Sequence, residues 1–130
     1  MASVDPRVRE LAQAANFAAL TVNLRSGRSM THVMWVDADD DHVLINTEVH
    51  RAKFAAVERD PRVTVMVWVI DDPYTYAEVR GRVVKMVRGP EARAHIDALS
   101  QKYRGLDYDP SMITSERVIL RIAPDVQHVR

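Results

Sequence analysis

Cysteine is missing from all 130 residues, which removes disulfides, thiolate metal sites, iron–sulfur clusters and cysteine nucleophiles together. An excess of either charge is missing too, since 18 basic residues balance 18 acidic ones and the formal net charge is zero. Neutralising a nucleic-acid backbone takes surplus positive charge, so no nucleic acid is expected as a partner. No apolar run approaches the roughly 20 residues that span a bilayer, and the opening MASVDPRVRE lacks a signal-peptide core. A cytoplasmic protein without membrane attachment is therefore expected. Internal repeats, low-complexity tracts and linkers are absent as well, which leaves one domain over residues 1–130.

What is present reads as a folded chain, 47% hydrophobic and 28% charged. Asp5-Pro6 supplies an N-cap followed by a proline at the first helical position. Val4, Val8, Leu11 and Ala15 then repeat at helical spacing. From Phe17 to Leu24 the residues favour a strand, and Ser26-Gly27 makes a turn into a second strand over about Ser29 to Val36. The acidic segment Asp37 to Asp41 reads as a turn into a third strand, His42 to Thr47. A short helix from Arg51 to Arg59 presents Phe54 and Val57 inward and stops at Asp60-Pro61.

Arg62 to Ile70 is apolar on both alternating faces, so both faces need cover. Asp71-Asp72-Pro73 breaks it. A long strand follows, Tyr76 to Val87, with Gly81 as a bulge or bend. Gly89-Pro90 opens a helix carrying Ala92, Ile96, Leu99 and Tyr103. Arg117 to Ile122 forms the last strand before Pro124. Six strands joined mostly by short turns predict a mainly β protein, a largely antiparallel barrel that is closed or nearly so.

The stretch Asn46 to Lys53 carries the most chemistry. It lies where a strand hands over to a helix, whose first turn presents unpaired amides and a partial positive charge. Arg51 and Lys53 add two cations at that same end. A bound phosphate would resolve the conflict. The plainer alternative is that both side chains extend into water while Glu48 offsets part of their charge.

Several pieces, in order, resemble the pyridoxamine phosphate oxidase-like split-barrel superfamily, closest to its actinobacterial branch of deazaflavin (coenzyme F420) dependent oxidoreductases. They are Phe17-Ala18-Ala19-Leu20 with the Ser26-Gly27-Arg28 turn, His42 to Thr47, Arg51-Ala52-Lys53, Asp60-Pro61-Arg62-Val63, Glu78 to Val83, and Glu116 to Pro124. The resemblance implies a six-stranded antiparallel split β-barrel of the FMN-binding type, a homodimer with cofactor at the interface. It implies that Arg51 and Lys53 hold the cofactor phosphate and that Asn46 and Thr47 add hydrogen bonds. The second strand around Met30 and Val33 would line the ring system, with Trp68 and Tyr74 of the partner subunit completing the pocket. The chain departs from the pattern at Thr31-His32-Val33-Met34-Trp35, where many relatives have Thr-Pro-Val-Trp, and at His50, usually glycine.

The expected activity is hydride transfer between reduced coenzyme F420 and a planar conjugated small molecule: a tetrapyrrole such as biliverdin, a quinone or an enone. No catalytic side chain is assigned, because the proton can come from solvent. Bound FMN is the alternative cofactor, and a non-catalytic cofactor- or tetrapyrrole-binding protein the alternative role. Asp37, Asp39, Asp41 and Glu48 imitate a calcium loop, but His42 stands where that loop needs glycine, so no metal is expected.

Overall fold

The computed structural model describes residues 3–130; Met1 and Ala2, which begin the stretch read above for a leader, lie outside the described residues. Seven strands join in one sheet: β1 (Phe17–Asn23), β2 (Ser29–Met34), β3 (Asp37–Ala38), β4 (Val43–Glu48), β5 (Arg62–Val69), β6 (Asp72–Arg88) and β7 (Arg117–Val129). Their order is β2-β1-β5-β6-β7-β4-β3, with every pairing antiparallel. Three helices accompany the sheet, α1 (Pro6–Gln13), α2 (Ala52–Arg59) and α3 (Pro90–Arg104), with a 3-10 turn at Pro110–Met112. The sheet curls into a half-barrel, the split-barrel fold, with seven strands where the sequence suggested six.

The extra strand comes from the acidic segment. Asp37 and Ala38 pair with Leu44 and Val43, so the turn is confined to residues 39–42. There the Asp39 carboxylate accepts from the amides of Asp41 (2.9 Å) and His42 (2.7 Å), which closes the turn without glycine. The last strand also runs past Pro124, against expectation. From Ala123 onward β7 pairs only with β6, so its other edge is free and a residue without an N–H does no harm there. Opposite Pro124 sits Gly81, at a shift in register. A Cβ on Gly81 would lie 2.1 Å from the Ala123 carbonyl oxygen, so the two strands approach more closely than any side chain permits.

The concave face holds the core. Leu20, Val65 and Val79 stand side by side across β1, β5 and β6, and Ile45 and Leu120 across β4 and β7, all buried. α1 closes this face with Val8, Leu11 and Ala12; its Asp5 cap accepts from the Arg7 amide (2.8 Å). Ala15, grouped above with the helical repeat, lies beyond the helix end and is exposed. α2 buries Phe54 and Val57, each worth about 1.5–3 kcal/mol in apolar area removed from water. Asp60 ends it, extended as a residue before proline must be. α3 lies on the opposite, convex side of β4 and β7.

Candidate anion-binding corner and ring groove

β4 loses its alternation at its end: Asn46, Thr47 and Glu48 are all buried. Thr47 points to the core side with Ile45, while Asn46 and Glu48 lie on the side covered by α3. Three polar residues at a strand end need partners there, and the partners of two of them form one network. The Asn46 amide donates to the Ala92 carbonyl of α3 (3.0 Å) and to His95 Nδ1 (3.1 Å), whose Nε2 lies 3.3 Å from Asp37 Oδ2. The Asn46 carbonyl oxygen accepts from Arg117 Nε at 2.9 Å.

Arg117 and Glu48 are direct cross-strand partners, 8% and 1% exposed, with Nη1 3.5 Å from Oε2. The other Glu48 oxygen accepts from the amides of Thr114 (2.7 Å) and Ser115 (2.9 Å). Burial alone would raise the Glu48 carboxyl, but those two amides and the guanidinium outweigh it and hold the group below its ordinary range. Ser115 Oγ also meets His50 Nδ1, which ties this loop to the turn that starts α2.

That helix start has no side-chain cap and no acidic residue in its first turn. Arg51 occupies the cap position and is exposed, while Lys53 is 9% exposed. Among the described residues, Lys53 Nζ has no hydrogen-bond acceptor and no carboxylate within ion-pair distance. Desolvation, then the charges of Arg51 and Arg117, push the Lys53 ammonium below its ordinary value. The Lys53 stem is thus mostly buried, although its Nζ is not sealed from solvent, while Arg51 extends into water. Glu48 faces Arg117. Counting Glu48 once, the corner carries three cations against one anion, beside free helix amides.

A groove of about 270 Å³ opens nearby, lined by Phe17, Val33, Met34, Trp35 and Tyr108. Aromatic stacking builds its wall: Trp35 lies on Tyr103 (5.1 Å between centroids, 7° between planes) and Tyr103 on Phe17 (5.8 Å). Tyr108 meets Trp35 edge-on at 6.2 Å, and its ring also lies 5.4 Å from the Arg117 guanidinium carbon. One side chain thus borders both the groove and the cationic corner. By contrast, a depression of about 240 Å³ on the convex face has its arginines already paired, Arg62 with Asp60 and Arg80 with Glu78.

The residues singled out from the sequence divide by location. Arg51 and Lys53 meet at the corner, with Asn46 just behind them and engaged with Arg117. Met30 and Val33, three apart on β2, face opposite sides: Met30 stands with Val22 and Val63 against the core, Val33 with Ala19 and Met66 on the convex face. Only Val33 lines the groove. Trp68 lies on that convex face beside Phe17, and Tyr74, 78% exposed, sits near the tip of the β5–β6 hairpin. Sequence reasoning gave no role to Arg117 or Tyr108.

A curled antiparallel sheet with a basic strand-to-helix corner beside an aromatic groove defines a class, the flavin-type split-barrel oxidoreductases. Residues 4–129 match the family model of pyridoxamine 5'-phosphate oxidase, and the chain belongs to that family. Among solved structures it is similar to an F420 reductase, at 26% identity and a TM-score of 0.83, covering 96% of this chain and 98% of that one. It also resembles a conserved hypothetical protein of Mycobacterium tuberculosis (21% identity, TM-score 0.72, 95% and 82% covered). A candidate pyridoxamine 5'-phosphate oxidase of Listeria innocua shares the fold (18%, TM-score 0.65, 92% and 90%). No curated protein matches the chain. No described helix is long and apolar enough to cross a membrane.

Proposed function

We propose that this chain is a cytoplasmic reductase using coenzyme F420, acting on a planar conjugated small molecule such as a tetrapyrrole, a quinone or an enone. The observation that carries the reading is Lys53, a nine-tenths buried residue whose solvent-reaching Nζ has no hydrogen-bond or ion-pair partner among the described residues, beside Arg51 and the uncapped start of α2. A desolvated ammonium is costly unless an anion meets it, and a phosphate accepts from ammonium, guanidinium and helix amides alike. The corner fits a phosphorylated cofactor. Similarity to an F420 reductase over nearly the whole of both chains favours the deazaflavin over FMN.

When bound, such a cofactor supplies hydride chemistry from its ring. The chain's own residues do the rest. Arg51, Lys53 and the first amides of α2 hold the phosphate. Val33 and Trp35, with Tyr108 edge-on beside them, form the apolar wall that receives the ring and excludes water. Thr47 and Met30 face the core, on the other side of the sheet from the groove, and have no part in holding the ring. Trp68 and Tyr74 reach the ring from a second copy of the chain.

Dimerisation belongs to the proposal. Val33, Met66, Ile70 and Tyr74 are exposed on or beside the convex face, an apolar surface larger than isolated residues explain. The groove, at about 270 Å³, is smaller than the ~300–1,000 Å³ usual for a whole ligand site, as half of a shared pocket would be. The test is titration of the protein with F420 and with FMN, followed by turnover of the reduced cofactor against a panel of acceptors. Tight FMN binding with none for F420 reassigns the cofactor. Binding without oxidation by any acceptor makes the protein a carrier. Unaltered binding after Arg51→Ala and Lys53→Ala together removes the corner from the proposal.

A further inference from the structure

We propose that Arg117 is a third phosphate-binding cation, and that Asn46 and Glu48 are its positioning residues instead of ligand contacts; this rests on the reading of the corner given above. A guanidinium offers five N–H donors in a rigid fork. Nε is spent on Asn46 at 2.9 Å, and Nη1 faces Glu48 at a long 3.5 Å. Nη2 has no acceptor among the described residues, although the side chain is only 8% exposed, and it is not sealed from solvent. A buried arginine whose outer nitrogen is left over resembles Lys53, and the two charges act on each other.

The surroundings hold that guanidinium still. Asn46 is itself pinned by Ala92 and His95 of α3, so it cannot turn toward a ligand without releasing both. Glu48 is pinned by two amides of the loop before β7, so it cannot swing to Lys53 or Arg51. The Arg117 guanidinium carbon also sits over the Tyr108 ring, 5.4 Å from its centroid. The fork is pre-oriented, and less is lost per hydrogen bond when an anion arrives.

The probe is inorganic phosphate, titrated by calorimetry at constant ionic strength. Arg117→Met alone would strand the buried Glu48, so the charge is removed as a pair in Arg117→Met/Glu48→Gln. The expected result is a folded protein whose phosphate affinity falls tenfold or more. Asn46→Leu, which keeps the guanidinium but frees Nε, should lower affinity about fivefold. In the paired background it should have no further effect, a coupling that a merely structural role would not produce. If the paired variant folds and binds phosphate as the parent does, Arg117 makes no contact and the proposal is overturned; should it fail to fold, an unchanged affinity in Asn46→Leu overturns it equally. If Arg51→Ala/Lys53→Ala also leaves phosphate binding intact, the corner itself fails, an outcome distinct from losing Arg117 alone.

Discussion

Glu48 and Arg117 stand opposite each other on β4 and β7, both buried, with a charge-to-charge distance of 3.5 Å. The pair is held from behind by Asn46 and by two loop amides, so it joins sheet, α3 and the loop before β7 at one point. Removing one partner leaves an uncompensated charge and two amides without an acceptor. Glu48→Ala should therefore cost about 3–5 kcal/mol in chemical denaturation, the range for breaking a buried pair. A loss under 1 kcal/mol would mean that water replaces the carboxylate at no cost.

The two titrating groups of this region act at opposite ends of the pH scale. Glu48 holds its carboxylate below the ordinary 4.5, because two amides and Arg117 outweigh desolvation. Its contribution is complete above that ordinary value and is lost as pH falls through the lower folded one, so Glu48→Gln should flatten the acid limb of the stability curve. Lys53 is depressed below 10.5, first by desolvation and then by Arg51 and Arg117. The unfolded chain then binds more protons just below 10.5, and stability climbs with pH in that window. Lys53→Met should abolish the climb, leave the ligand-free protein at least as stable at neutral pH, and erase its thermal stabilisation by phosphate. A ligand-free variant that melts well below the parent would show that Lys53 has a partner after all.

Gly81 tests the close approach of β6 and β7. Any side chain would drive a Cβ to within 2.1 Å of the Ala123 carbonyl oxygen, which belongs to backbone and cannot move aside cheaply. Gly81→Ala should cost about 3 kcal/mol. Thermal unfolding unchanged within a degree would indicate that the two strands separate freely there.

Tyr103 accepts from the Val36 amide at 3.1 Å and donates to the Asn16 carbonyl. Burial pushes its hydroxyl up to about 12, against a smaller opposing effect of the Val36 amide. In spectrophotometric titration one of the four tyrosines should ionise late, and Tyr103→Phe should remove that late step. The same change leaves a buried amide without its acceptor and should cost about 1–3 kcal/mol.

The convex face carries its own prediction. Met66→Glu puts a carboxylate in the middle of the apolar surface formed with Val33 and Trp68, and should shift light scattering toward the monomer. Ligand affinity should fall with it, since half of the ring pocket would leave. A parent protein that is monomeric at micromolar concentration would remove both expectations.

Local chemistry made most of this legible in the sequence. The Asp5-Pro6 helix start and the stop at Asp60-Pro61 are local signals that the structure carries; the strand before Ile70 forms as well, with one face buried and Met66 exposed on the other. Arg51 and Lys53 are legible for the same reason: the conflict between cation and helix dipole lies within three residues. Arg117 was out of reach because it matters only through its register with Glu48, sixty-nine residues earlier in the chain. The proline rule misplaced the end of β7, since it does not know that one edge of the strand is free beyond Ala123. Alternation in β2 argues that Met30 and Val33 cannot share a face, and a period of two applied strictly would have separated them.

If the corner holds a phosphorylated cofactor as proposed, the ammonium at Lys53 has a consequence in the cell. A chain that carries repulsion until its guest arrives gains folding free energy from the guest in proportion to the logarithm of its concentration over the dissociation constant. Quality control removes the weaker form sooner, so the amount of this protein would rise and fall with cofactor supply, with no change in its synthesis.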